Sequence, residues 1–184
     1  MGSNSKTLLA LGFITVRHHV EHGYFGGYLV LNQLGRPLEF HCTLPVKPSR
    51  AQSLLYGHTL DDFICGEQVA KALVTKAKLK PSLLLTDCSA VLAFEHVGDE
   101  PMVLVEASAP NSNEVHLRRP HVPDTQLHCI GSSGVRCYVS SASSATSDLL
   151  SGIEPKLALK FDLTEPFHRI AEALLEAHPI VKAA

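Results

Sequence analysis

The sequence lacks tryptophan, carries few charges and contains no long apolar run. Charged residues make up 18% of its 184 positions and the net charge is −2. Dedicated nucleic-acid binders usually carry a basic excess, so charge does not favour that class and leaves room only for a local basic groove. A membrane-spanning helix needs about 20 consecutive apolar residues. Nothing here approaches that length, so no membrane partner is expected. The start, "MGSNSKTLLALGFITV", has one lysine, a short apolar run and no convincing cleavage site. It reads as a strand, not a signal peptide. Five cysteines, an odd number without a CxxC pair, suit free thiols in a reducing, cytoplasmic setting. There is no P-loop, no G-x-G-x-x-G and no G-x-S-x-G, which removes the common phosphate cradles and the nucleophile elbow.

What is present is a chain long enough for one domain with a full core: 45% of residues are hydrophobic. Residues 7–16, "TLLALGFITV", read as a first strand. Residues 28–42, "YLVLNQLGRPLEFHC", read as a hairpin with turn chemistry at Asn32 and Gly35. Pairing 31 with 36 would set Leu29 opposite Leu38 and Gly27 opposite Phe40. Gly23, Gly26 and Gly27 then fall between strands. The first 42 residues form a three-stranded antiparallel meander on this reading.

Ser49 is placed to cap a short helix. Residues 61–79, "DDFICGEQVAKALVTKAKL", follow as the clearest helix, with acids at its start and lysines at its end, as the helix dipole favours. Its apolar stripe runs through Phe63, Ala70, Val74 and Ala77, and Glu67 lies on that stripe. The continuous apolar run 81–88, "PSLLLTDC", reads as a strand buried on both faces. Residues 101–107 read as another strand. Residues 108–152 are rich in loop residues within the same domain, with strand-like pieces at 114–118, 126–130 and 135–139 and a low-complexity linker at 140–147. A strand at "KLALKFDL" and a helix at "TEPFHRIAEALLEAH" close the chain.

The order is a mixed α/β one: an antiparallel meander, a helix carrying Glu67, then a central strand ending in Thr86-Asp87. It resembles the ribonuclease H-like fold over roughly residues 7–95. "FGGYLVLNQLGRPLEFHC" looks like that fold's second and third strands, "GEQVAKAL" like its first helix and "LLLTDCSAV" like its fourth strand. The resemblance implies two magnesium ions held by acids from the first strand, first helix, fourth strand and a late helix. Glu67 and Asp87 match the second and third of these, and Asp162 matches the fourth. The first strand has no acid, and a two-metal centre needs several carboxylates. Glu21 or Asp148 could supply one from a loop.

Histidine and cysteine offer a third chemistry. "RHHVEHG" spaces His18 and His22 by four, a zinc spacing on a helix. Its β-branched and glycine-rich flanks argue instead for a polar turn. In "HCIGSSGVRCYV" a hairpin register pairing 130 with 135 would set His128 opposite Cys137, with His121 in reach of a zinc site. Cys65 near a helix start reads as a small core residue.

Three functions are therefore weighed. The incomplete acid set and low charge point first to a non-catalytic interaction or assembly domain, a degenerate ribonuclease H-like one, with a protein partner or self-association and no cofactor. The second is a divalent-metal-dependent phosphodiesterase or nuclease using Glu67, Asp87 and Asp162 with Mg²⁺ or Mn²⁺. The third is a zinc or thiol sensor using His128 and Cys137.

Overall fold

The computed structural model describes residues 9–106, 125–130, 135–140, 144–153 and 161–178. The expected strand at 114–118, His121 and most of "KLALKFDL" lie outside them, as do the side chains of 125–130. The elements are β1 (Ala10–His19), β2 (Gly23–Asn32), β3 (Pro37–Cys42) and α1 (Arg50–Tyr56). A helical run follows: α2 (Leu60–Asp62), a π-helical segment (Phe63–Ala70) and α3 (Lys71–Lys76). Then come β4 (Leu83–Thr86), a 3-10 segment (Ser89–His96), β5 (Met102–Glu106), β6 (Thr125–Ile130), β7 (Val135–Ser140), α4 (Ser144–Ile153) and α5 (Glu165–Ala177). The seven strands form one sheet in the order β3-β2-β1-β4-β5-β7-β6. β1, β4 and β5 are parallel, and every other pairing is antiparallel.

Helical layers cover both faces, which explains why β4 is fully buried and carries three successive leucines before Thr86. Strand alternation sorts the side chains. Leu11, Phe13, Leu83 and Leu85 face α4 and α5. Ile14, Val16 and Leu84 face the π-helical and 3-10 segments. β2 lies between helices on both sides, and here the glycines matter. A Cβ on Gly26 would meet Val69 Cγ1 at 2.1 Å, and one on Gly27 would meet Ile170 Cγ2 at 2.3 Å. These two residues therefore lie inside β2, not between strands, because only a bare backbone lets both helical layers approach.

Three local expectations change. In the second hairpin Leu29 pairs with Phe40 and Gly27 with Cys42, and Leu31 pairs with Pro37, because a bulge between Val30 and Leu31 shifts the register. The helix expected over 61–79 widens into a π-helix, and the wider turn moves the buried stripe to Ile64, Cys65, Val69, Ala70 and Leu73. Glu67 is accordingly half-buried rather than on the core face. Of the expected linker 140–147, Ser140 ends β7 and residues 144–147 open α4, while 141–143 lie outside the described residues. The meander, β4, the Ser49 cap of α1 and the β6–β7 register, with Ile130 opposite Val135 and His128 opposite Cys137, follow the sequence reading.

Candidate functional site

β1 and β4 run side by side, with Ile14 in register with Thr86. Beyond this pair the next residues are Thr15 and Asp87, which continue the alternation of Phe13 and Leu85 toward the α5 side. Thr15 Oγ1 donates to Asp87 Oδ1 at 2.5 Å. Arg17, two residues on and so on the same face, donates from Nη2 to Asp87 Oδ2 at 2.7 Å. The turn after β4 fixes the carboxylate: the Cys88 N–H donates to Thr86 Oγ1 at 3.1 Å. Thr15 is wholly buried, whereas the Arg17 side chain keeps 41% of its surface and Asp87 keeps 21%. The cluster therefore has a dry floor and an open mouth.

The other face of the same sheet end carries a second polar group. Tyr24 Oη donates to Asp61 Oδ1 at 2.5 Å. Burial, then this bond, raises the Tyr24 pKa and holds the phenol protonated. Cys65 and Cys88 are buried together, and the hydrogen bond between them, with burial, raises the Cys65 thiol pKa. Cys65 is thus a core thiol, as its sequence context suggests. Asp62 is also raised, by burial first, with Asp61 and Glu67 among the neighbouring charges.

The histidine-rich stretch closes the β1–β2 hairpin. The His18 ring packs on Tyr24 at 4.4 Å, while His19 stacks on His22 at 4.8 Å. His18 and His22 thus have different partners, and the polar-turn reading holds.

Of the sequence-nominated acids, only Asp87 is hydrogen-bonded to side chains of β1. Asp162 lies at the opposite end of the sheet. It accepts from the Thr164 N–H and Oγ1 at 2.8 and 2.7 Å, next to Phe161, which packs on Gly35 in the β2–β3 turn. Glu67 occupies the π-helical segment on the far face from Asp87. Glu21 falls in the exposed β1–β2 turn and Asp148 on the exposed side of α4. Cys137 is fully buried among core side chains. Among the described residues, no group of three or more His, Cys, Asp or Glu side chains converges to hold a metal.

A two-metal centre therefore does not fit the described residues. The β1 position facing Asp87 is a threonine, and the cation beside Asp87 is a guanidinium. Sequence reasoning missed Thr15 and Arg17. The available signal was two polar residues at i and i+2 near the end of β1, which share a face. It becomes legible once β4 is known to be the neighbour.

No family model matches the sequence, and no curated protein does. Among solved structures, the chain is similar to Ciona intestinalis endonuclease V in complex with inosine-containing DNA, at 11% identity and a TM-score of 0.47, over 94% of this chain and 88% of that one. It is similar to human endonuclease V at 14% identity and a TM-score of 0.46, over 97% and 87%. It is also similar to Marinitoga piezophila Argonaute in complex with guide RNA, at 13% identity and 0.42, over 94% of this chain and 31% of that one. These likenesses are of fold. No helix among the described residues is long and apolar enough to cross a membrane. The expectation of a non-catalytic interaction or assembly domain is corrected: the endonuclease V structures to which the chain is similar are those of nucleases. The sheet order, with an antiparallel β1–β2–β3 meander beside parallel β4 and β5 and helical layers on both faces, is that of a ribonuclease H-like fold.

Proposed function

We propose that the chain has a nuclease-like function and engages a nucleic-acid phosphodiester at the carboxyl ends of β1 and β4. The observation that carries this reading is the Thr15–Asp87–Arg17 cluster. It lies where the connectivity of the sheet divides, with β1 leading to β2 and β3 on one side and β4 to β5 on the other. Open α/β sheets bind ligands beyond the carboxyl ends of their strands at such a point. A guanidinium matches the geometry of a phosphate. A carboxylate beside it can orient a water or accept its proton. Asp87 is the group assigned that task.

The test uses labelled single- and double-stranded DNA and RNA, inosine-containing strands included, incubated with the protein and Mg²⁺ or Mn²⁺. Cleavage is expected to fall roughly 10²-fold or more in Asp87→Asn. Cleavage unchanged in that variant, or no cleavage of any strand, would overturn the reading.

A further inference from the structure

We infer that Cys65 and Cys88 form a modification site for a hydroperoxide, which closes them reversibly into a disulfide between the π-helical segment and the turn that carries Asp87. The inference goes beyond the nuclease-like reading, whose phosphodiester chemistry uses neither thiol. Three observations carry it. Cys65 donates its S–H to the Cys88 sulfur, so the two sulfurs are already in contact. The elements that hold them are fixed against each other. A Cβ on Gly66 would meet the Phe94 nitrogen at 2.7 Å and the Ala93 carbonyl carbon at 2.8 Å, and the Cys88 N–H donates to Thr86 Oγ1 at 3.1 Å. And the pair is set apart from the other described thiols, because Cys42 and Cys137 pack on the opposite face of the sheet.

The step balances with hydrogen peroxide as the oxidant. Cys88 keeps 6% of its surface and Cys65 none, so a molecule little larger than water reaches Cys88 first. The Cys88 sulfur attacks the peroxide: an S–O bond forms, the O–O bond breaks, and the thiol proton leaves with the departing oxygen as water. The Cys65 sulfur then attacks the sulfenic sulfur, the S–O bond breaks and a second water leaves. The two thiols lose two electrons and two protons, and the peroxide is reduced to two waters. The second attack is intramolecular, between groups already in contact, so it outruns further oxidation of Cys88. A covalent S–S bond is shorter than the contact distance of two sulfurs. Closing it therefore draws Cys88, and the chain at Asp87 with it, toward the π-helical segment.

The experiment treats the reduced, folded protein with hydrogen peroxide, blocks the remaining thiols with N-ethylmaleimide and maps linked peptides by non-reducing digestion and mass spectrometry. Expected is a Cys65–Cys88 linked pair, two hydrogens lighter than its reduced parts, that is lost again in dithiothreitol. Cys65→Ala should lose the link completely and leave Cys88 as a sulfenic acid that dimedone traps. Cys88→Ala should lose both the link and that adduct. Circular dichroism verifies the fold of each variant, and the parent protein carries the test alone if either fails to fold. Thiols that stay reduced, a link to any other cysteine, oxidation without a link, or a link formed only after urea unfolds the chain would overturn the inference. None of these outcomes bears on strand cleavage, so the nuclease-like reading stands or falls separately.

Discussion

The two ends of the central sheet use their carboxylates differently. At the amino end of β1 and β4, acids are bound by backbone and by neighbours on their own segment. Glu39 accepts from the Lys78 and Leu79 N–H groups at 2.9 and 2.8 Å and lies 2.6 Å from His41 Nε2. Asp162 closes on Thr164, and Glu165 pairs with Arg169 one turn along α5. These acids fasten chain to chain. At the carboxyl end, Asp87 takes both its donors from side chains of the neighbouring strand, one buried and one open to solvent. The contrast separates an end whose acids fasten the chain from the end at which a ligand is proposed to bind.

The sharpest way to break that contrast is Thr15→Asp. It would set a second carboxylate against Asp87 at a position with no exposed surface. A loss on the order of 3 kcal/mol is expected, partly relieved by Mn²⁺ or Mg²⁺ through mass action. Thermal melts with and without the ions check both parts. An unchanged midpoint would mean that the pocket floor is not dry.

At the structural end, Glu39→Ala is expected to cost about 1–2 kcal/mol with no effect on oligonucleotide binding. Its pH signature has a definite sign. The Lys78 N–H first, then His41 and the Leu79 N–H, lower the Glu39 pKa from 4.5 to about 2. The stability this adds is complete above 4.5 and is lost as pH falls toward 2. Denaturant titrations across that window should show a shallower acid loss in Glu39→Ala; parallel curves would remove Glu39 from the account.

Thr15→Val removes one donor from Asp87 and is expected to cost about 1 kcal/mol. It should also weaken oligonucleotide binding, because Asp87 is held less firmly at the mouth of the site. Loss of stability with unaltered binding would make Thr15 a core residue only. The smallest effect is expected from Tyr28→Phe. Tyr28 is fully buried in β2, and among the described residues its hydroxyl has no hydrogen-bond partner. Removing that hydroxyl should leave stability unchanged or raise it slightly.

Much of the fold was legible because its signals are local. Alternation and turn residues give the meander, the continuous apolar run gives β4, and Ser49 gives a helix cap. Asp162, matched in sequence to a late metal acid, instead closes a local turn on Thr164 ahead of α5. What escaped depends on distant packing. Gly26 and Gly27 look like turn residues until Val69 and Ile170 are seen against them. The bulge at Val30 shifts a register that alternation alone would keep. The π-helical widening turns Glu67 away from the core stripe. For the site, Asp87 could be read from the end of its strand. Its partners could not, because Thr15 and Arg17 stand 72 and 70 positions away.

The most direct test is to map an oligonucleotide on the isotopically labelled protein by NMR, following backbone amides during titration. The account predicts shifts at Thr15, Arg17, His18, Asp87 and Cys88, and none at Glu39, Lys78 or Thr164. Shifts gathered at the Glu39 and Thr164 end, with Arg17 and Asp87 unmoved, would contradict it.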